Sequence, residues 1–345
     1  MATSSWNAGI IRPVAVPPAG PYEDGVAPGV WTLDQATFWT KQGLWPTAGN
    51  VAPRGLFGGG SNASGNSNVI AYVSLASTGN AIDFGDLSLQ LFSLASCASS
   101  TRGLFAGGQQ SSSPFYMNTI NYVTITTSGN SSSFGDLTQG RAYVVGCSNN
   151  TRGLFAGGFN GGLVNTIDYV TIASTGNATD FGDLLTTAQN MGGCASTTRG
   201  VFAGGNVSAG RSSAIRYVTI ASTGNSSVFG NLSVITAALA GCSSATRGLF
   251  AGGSGEYEVI LNTIEYITIA STGNATDFGD LTVAREYLAA CSSATRGLFG
   301  GGTTGSNTNV IDFVTIATTG NATDFGDLLT ATASLAACSG SHGGI

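Results

Sequence analysis

Eighteen acidic side chains, one histidine and six cysteines are the groups in this 345-residue chain with the chemistry for catalysis or metal binding. The acids follow a pattern. Asp83 and Asp86, Asp180 and Asp183, Asp277 and Asp280, and Asp324 and Asp327 each frame a Phe-Gly pair in the stretch DFGD. Paired carboxylates suit glycoside hydrolysis when two acids face one cleft, and calcium when several oxygens converge. Two further copies read SFGD (133–136) and VFGN (228–231), losing an acid without compensation. A turn role therefore explains these acids better than catalysis or calcium. The single histidine, His342, stands close to the end of the sequence, which leaves no Ser-His-Asp or Cys-His arrangement for nucleophilic catalysis among the repeats.

The six cysteines, Cys97, Cys147, Cys194, Cys242, Cys291 and Cys338, fall at one equivalent position in successive repeats. Equivalent positions in neighbouring repeats lie too far apart for disulfides. They read as buried, reduced thiols acting as small hydrophobes, and the alternative of a ring of metal thiolates lacks any accompanying histidine. Gly-Gly pairs after a strand suggest a phosphate cradle, but no helix follows and no GK[ST] occurs, so no cofactor is expected.

A larger unit positions these groups. TRGLFAGG at 101–108 returns unchanged at 151–158, with further copies PRGLFGGG (53–60), TRGVFAGG (198–205), TRGLFAGG (246–253) and TRGLFGGG (295–302). Their arginines, Arg54, Arg102, Arg152, Arg199, Arg247 and Arg296, are spaced 48, 50, 47, 48 and 49 residues apart, a period that marks repeat architectures. Residues 142–190 make one unit: AYVVGCSNN, TRGLFAGG, a variable loop, NTIDYVTIASTGN and ATDFGDLL. The first, second and fourth of these read as strands, the fourth alternating Ile167, Tyr169 and Thr171 with Asp168, Val170 and Ile172. The last, with Phe181 and Leu184 around Gly182, is short and turn-rich and follows a Ser-Thr-Gly-Asn turn. Four short strands in each repeat make a propeller blade.

The wording resembles a kelch repeat, in which a strand ends in a Gly pair, a Tyr follows on the next strand and an aromatic on the last; here these are Gly157 and Gly158, Tyr169 and Phe181. The resemblance covers residues 54–345, with Phe where the family usually has Trp, and implies architecture only. A blade has two apolar faces and must stack on copies of itself. The first Gly of the pair is expected to admit a neighbouring backbone and the second to take a positive φ. The Arg is expected to reach a backbone carbonyl or the Asp of FGD. The first copy lacks a preceding run of the AYVVGC kind, whereas SLAACSGS (334–341) is left over at the other end. This gives an all-β, six-bladed, kelch-like propeller over 51–345, four strands per blade, with blade one closed by the C-terminal strand.

Composition limits the partners. Charged residues are 9%, net charge is -6, and Lys41 is the only lysine, so no basic stripe exists to neutralise nucleic-acid phosphates. No apolar run is long enough to span a membrane, and MATSSWNAGII lacks the charged and apolar regions of a signal peptide. Folding in a cytoplasm is expected. The inserts between Gly pair and third strand vary, and carry Phe115, Tyr116, Phe159 and Tyr257 on a Ser/Asn/Gly background. They are candidate ligand-binding loops on one rim, for a glycan or a protein surface, with neutral drift as the alternative.

Residues 1–50 break the period. They hold all four Trp (Trp6, Trp31, Trp39, Trp45), Phe38 and six of the eight Pro. Thr32-Leu-Asp-Gln35 fits a capping box, and Gly43 and Pro46 end the helix it would start, giving a short helix at about 33–42 in an otherwise extended arm. APGVWTLDQATFWTKQGLWP is similar to a short module of tailed-bacteriophage structural proteins. That resemblance implies a non-enzymatic virion protein of the tail or head surface, docked to other virion proteins through the Trp-bearing arm. The alternatives are an arm packed back on its own propeller, and a glycan-binding receptor module working through the rim.

Overall fold

The computed structural model describes residues 52–345, together with the backbone of a two-residue antiparallel pair, Ser5–Trp6 with Gly9–Ile10. The expected helix at 33–42, Trp31, Phe38, Trp39 and Trp45, and the side chain of Trp6, lie outside the described residues. Pro53–Ile345 forms one compact unit. It is a six-bladed β-propeller, each blade a four-stranded antiparallel sheet ordered from the axis outward. Blades 2 to 6 are continuous in sequence, spanning 95–136, 145–183, 192–231, 240–280 and 289–327. Blade 1 is composite: Ala336–Ser339 forms its inner strand and pairs with Arg54–Gly58, followed by Val69–Ser74 and Ile82–Asp86. The ring is closed by that pairing, as the leftover SLAACSGS run requires.

Blade 3 shows why these residues make these strands. In the inner pair Cys147 lies opposite Leu154, and Leu154 opposite Tyr169 of the third strand, so period-two alternation sends Leu154 to one face and Phe155 to the other. Both are fully buried. Leu154, Ile167 and Phe181 of blade 3 pack with Phe202, Val218 and Ile220 of blade 4 in one cluster. Five equivalent clusters fill the other interfaces, the one between blades 6 and 1 included. Burying one such Phe or Leu stabilises by about 1.5–3 kcal/mol, so the ring rests on its interfaces.

The Gly of each TRG is fixed by the preceding blade's cysteine. A Cβ on Gly153 would lie 2.4 Å from Cys97 Sγ, on Gly200 2.8 Å from Cys147 Sγ, and on Gly55 2.6 Å from Cys291 Sγ. The thiol fills the space the glycine leaves. The DFGD segment, counted as the short, turn-rich fourth strand, is the outermost strand, Thr179–Asp183 in blade 3, with a bulge opposite Ile167 and Asp168 where a turn role was expected for its acids. The Ser-Thr-Gly-Asn segment of the next blade latches onto it. Gly224 N–H donates to Phe181 O at 2.7 Å and Ser226 N–H to Asp183 O at 2.8 Å, while Asn225 Oδ1 accepts from Asp183 N–H at 3.0 Å. The asparagine contact recurs at Asn80, Asn130, Asn177, Asn274 and Asn321. Each outer strand is thereby covered by its neighbour rather than left as an open edge. The bulge glycine, Gly182 at φ 140°, is needed because a Cβ there would sit 2.6 Å from the Gly224 carbonyl.

Asn225→Ala should cost about 1 kcal/mol, one net hydrogen bond, and lower the Tm by a few degrees in calorimetry. Deleting residues 331–345 removes the inner strand of blade 1 and should abolish the cooperative transition altogether. Survival of a native-like melt after that deletion contradicts the closure described above.

Candidate functional site

The repeated arginines are joints between blades. Arg152 Nη1 donates to the carbonyls of Ile220 and Ala221 in blade 4 at 3.0 and 2.9 Å, and its guanidinium lies over the Tyr169 ring of its own blade, 4.9 Å from the centroid. Tyr169 in turn meets Phe181 edge-on at 5.9 Å. The same Arg–aromatic–Phe stack recurs in all six blades, with Phe313 replacing the Tyr in blade 6. Of the two expected acceptors the carbonyl is the one used; Asp of FGD is not. As expected, the first glycine of each pair is approached by backbone, Gly157 by the Ala188 carbonyl, and the second has positive φ, 110° at Gly158; each also shares the other's feature, with φ 64° at Gly157 and the Ala142 carbonyl against Gly158.

At the axis the chain makes a second, closed circuit. The residue that begins each inner segment, Ser93, Tyr143, Asn190, Ala238, Tyr287 or Ser334, is left-handed, with φ between 54° and 57°. Tyr143 N–H donates to Ser93 O, Asn190 to Tyr143, Ala238 to Asn190, Tyr287 to Ala238, Ser334 to Tyr287 and Ser93 to Ser334, at 2.8–3.1 Å. Six backbone amides thus form a hydrogen-bonded ring around the channel mouth. Left-handed backbone costs an ordinary residue about 1–2 kcal/mol. The ring and the blades behind it hold that strain in place.

The ring surrounds a cavity of about 80 Å3. Tyr143 and Tyr287, from opposite blades 3 and 6, both line it, with Asn190, Ser93 and Ser334. Burial pushes both phenols up, and nearby Glu286 and Tyr143 raise Tyr287 further. Buried ion pairs brace the two tyrosine-bearing segments. Arg141 meets Asp168 at 2.9 Å and Arg285 meets Asp312 at 3.0 Å, all four side chains fully buried. Each Asp also accepts from a Thr, Thr138 or Thr282. Burial lowers both arginine pKa values and the facing carboxylates oppose the shift. Nothing in the sequence period flagged these pairs, because only two repeats carry them.

The variable inserts share this face. Gln109, Phe159, Asn206, Ser254, Thr303 and Ser61, each just after a Gly pair, bridge to the residue immediately before the mouth ring. Of the aromatics expected there, Tyr116 and Phe159 pack on each other across blades 2 and 3 at 5.8 Å. Phe115 and Tyr257 are exposed and join neither them nor one another, Tyr257 lying in the Glu256–Glu258 turn. Sequence reasoning missed Tyr143 and Tyr287, whose strand-like setting disguised a mouth position.

The other end of the channel is stopped by residues 340–345. His342, expected to stand apart from the repeats, lies in the channel with Nε2 3.2 Å from Ser148 Oγ and 3.1 Å from Ala98 O. This contact is not a catalytic dyad. Nδ1 accepts from Gly344 N–H, so the neutral ring carries its proton on Nε2 and donates it to Ala98 O. Ser148 Oγ itself donates to Ala98 O at 2.7 Å, and burial lowers the imidazole pKa, which disfavours its charged form. All six cysteines are free and buried. Desolvation pushes Cys147, Cys242 and Cys338 up to about 12. Among the described residues no group of three or more His, Cys, Asp or Glu is placed to hold a metal, and no helix is long and apolar enough to cross a membrane.

Arg152→Ala should destabilise the propeller by about 1–3 kcal/mol in denaturant unfolding, the range for a charged hydrogen bond with partial burial. The raised thiol pKa values set a pH window. Stability is full below the ordinary thiol pKa and falls between about pH 9 and 12, because the unfolded chain ionises first. Native protein should accordingly resist alkylation by iodoacetamide, and all six thiols should react once it is unfolded. No protein-family model matches the chain, and no curated protein matches it either.

Proposed function

We propose that this protein is a non-enzymatic structural component of a virion, on its tail or head surface, presenting the propeller for contact with a host surface. The observation that supports this reading most is the division of labour between faces. The Arg–aromatic stacks, asparagine latches and apolar clusters recur in every blade, whereas the inserts and mouth residues differ between repeats and share one face. A fixed frame with one variable face is the design of a recognition scaffold. The kelch-like wording and the phage-like segment before residue 50 supply the context, and docking to other virion proteins through Trp6, Trp31, Phe38, Trp39 and Trp45 is part of the proposal. The low charge and polar Ser/Thr/Asn surface suit a component of an assembly.

A second reading, a glycan-binding receptor module outside any particle, is favoured by the tyrosine-lined mouth. Particles purified from infected cells distinguish the two. Mass spectrometry and electron microscopy should find the protein at fixed copy number on the particle exterior; consistent absence from particles refutes the virion reading.

A further inference from the structure

The amide ring at the mouth leaves hydrogen-bonding capacity of one kind. Every ring N–H is committed to the neighbouring carbonyl, while each carbonyl oxygen keeps a second lone pair. Around them stand the hydroxyls of Ser93, Ser334 and Tyr287, the amide of Asn190, and the Tyr143 hydroxyl, which donates to Gln109 Oε1 at 3.4 Å and keeps its capacity to accept. Ser93 Oγ is buried there and has no hydrogen-bond partner among the described residues. An occupant must therefore offer donors to carbonyls and both donors and acceptors to hydroxyls, which is the signature of a polyol.

Other chemistries fit less well. Among the described residues no charged side chain lines the cavity, so an anion would meet carbonyl oxygens without a compensating cation. The ring carbonyls aim along the ring at the next N–H, and Glu286, the carboxylate nearest Tyr287 in sequence, is not among the residues lining the cavity, so a bare cation meets no converging set of ligands. A peptide binding through its main chain needs a free sheet edge. Here the mouth donors are spent and the outer strands are latched. Tyr143 and Tyr287 line the cavity from opposite blades, and an aromatic ring is a surface suited to the C–H groups of a sugar. At about 80 Å3 the cavity has room for a few waters, so it admits one end of a saccharide and leaves the rest over the inserts.

We propose that the axial mouth binds the terminal residue of a neutral glycan, held between Tyr143 and Tyr287 and hydrogen-bonded to Ser93, Asn190 and Ser334. This rests on the reading that the loop-bearing face makes host contact. The test uses the full chain on a printed array of neutral hexose, deoxyhexose and N-acetylhexosamine oligosaccharides, with sialylated and sulfated glycans alongside. Wild-type protein should bind a subset of the neutral glycans. Tyr143→Ala and Tyr287→Ala should each weaken binding about tenfold or more, and the double variant should abolish it. Val228→Ala, on the exposed outer strand of blade 4 and outside the mouth and inserts, should leave it unchanged. Folding of the variants is supported by blade 5, where Ala238 holds the same left-handed φ, 57°, as Tyr143, and their melts should match wild type. Neutral-glycan binding that survives the double substitution, binding to charged glycans alone, or no glycan binding by wild type overturns the assignment. If the array fails while the protein is found on particles, the mouth assignment alone falls; absence from particles sinks the virion reading whatever the array shows.

Discussion

Each blade carries apolar surface on both faces, and only another blade can cover it. Everything else in the structure answers to that constraint. A row of blades would leave two faces wet at its ends, so Ala336–Ser339 crosses to the first blade and removes both ends at once. Closure then dictates local choices. Glycine follows each arginine because the preceding thiol occupies the site of its Cβ, and glycine sits in each outer strand because the next blade's turn lies against it. Polar contacts serve the same end: the arginines and asparagines are joints across interfaces already held by Leu, Ile, Val and Phe.

The mouth is where closure becomes specific. Six amides donating in one rotational sense require six equal blades, and the ring would break if one were missing or added. Its backbone is fixed by the circuit, so the side chains projecting from it answer to little else. That accounts for Ser, Tyr, Asn, Ala, Tyr and Ser standing at one equivalent position while the neighbouring cysteine never varies. The buried Arg141–Asp168 and Arg285–Asp312 pairs are costly to desolvate and contribute little net stability compared with apolar packing. Their location under the two tyrosines makes positioning the better account of them.

Much of the fold was legible in the sequence because it is written six times. Blade number, four strands per blade and the borrowed strand all follow from counting TRGLFAGG copies and finding SLAACSGS left over. What repetition concealed was direction. Asn225 looks like an ordinary turn residue until the partner across the interface is seen, and Asp183 looks like a turn cap until its N–H is found donating to that asparagine. His342 illustrates another limit: a residue near one end of the sequence carries no local sign that it will fold into the channel. For the candidate site, aromatic content pointed to the inserts. The mouth tyrosines were hidden because a left-handed residue at the head of an apolar run has the pattern of a strand.

One asymmetry in the joints has a mechanical meaning. Arg102, Arg152, Arg199 and Arg247 each grip two carbonyls of the following blade, whereas Arg54 and Arg296 grip one apiece, Ile125 O at 3.2 Å and Leu75 O at 3.3 Å. Those two joints lie at the two seams of blade 1, the blade whose strands are not contiguous in sequence. The weakest fastenings and the splice in the chain coincide. The polar fastening is therefore thinnest at the two seams of the spliced blade, which are held chiefly by their apolar clusters.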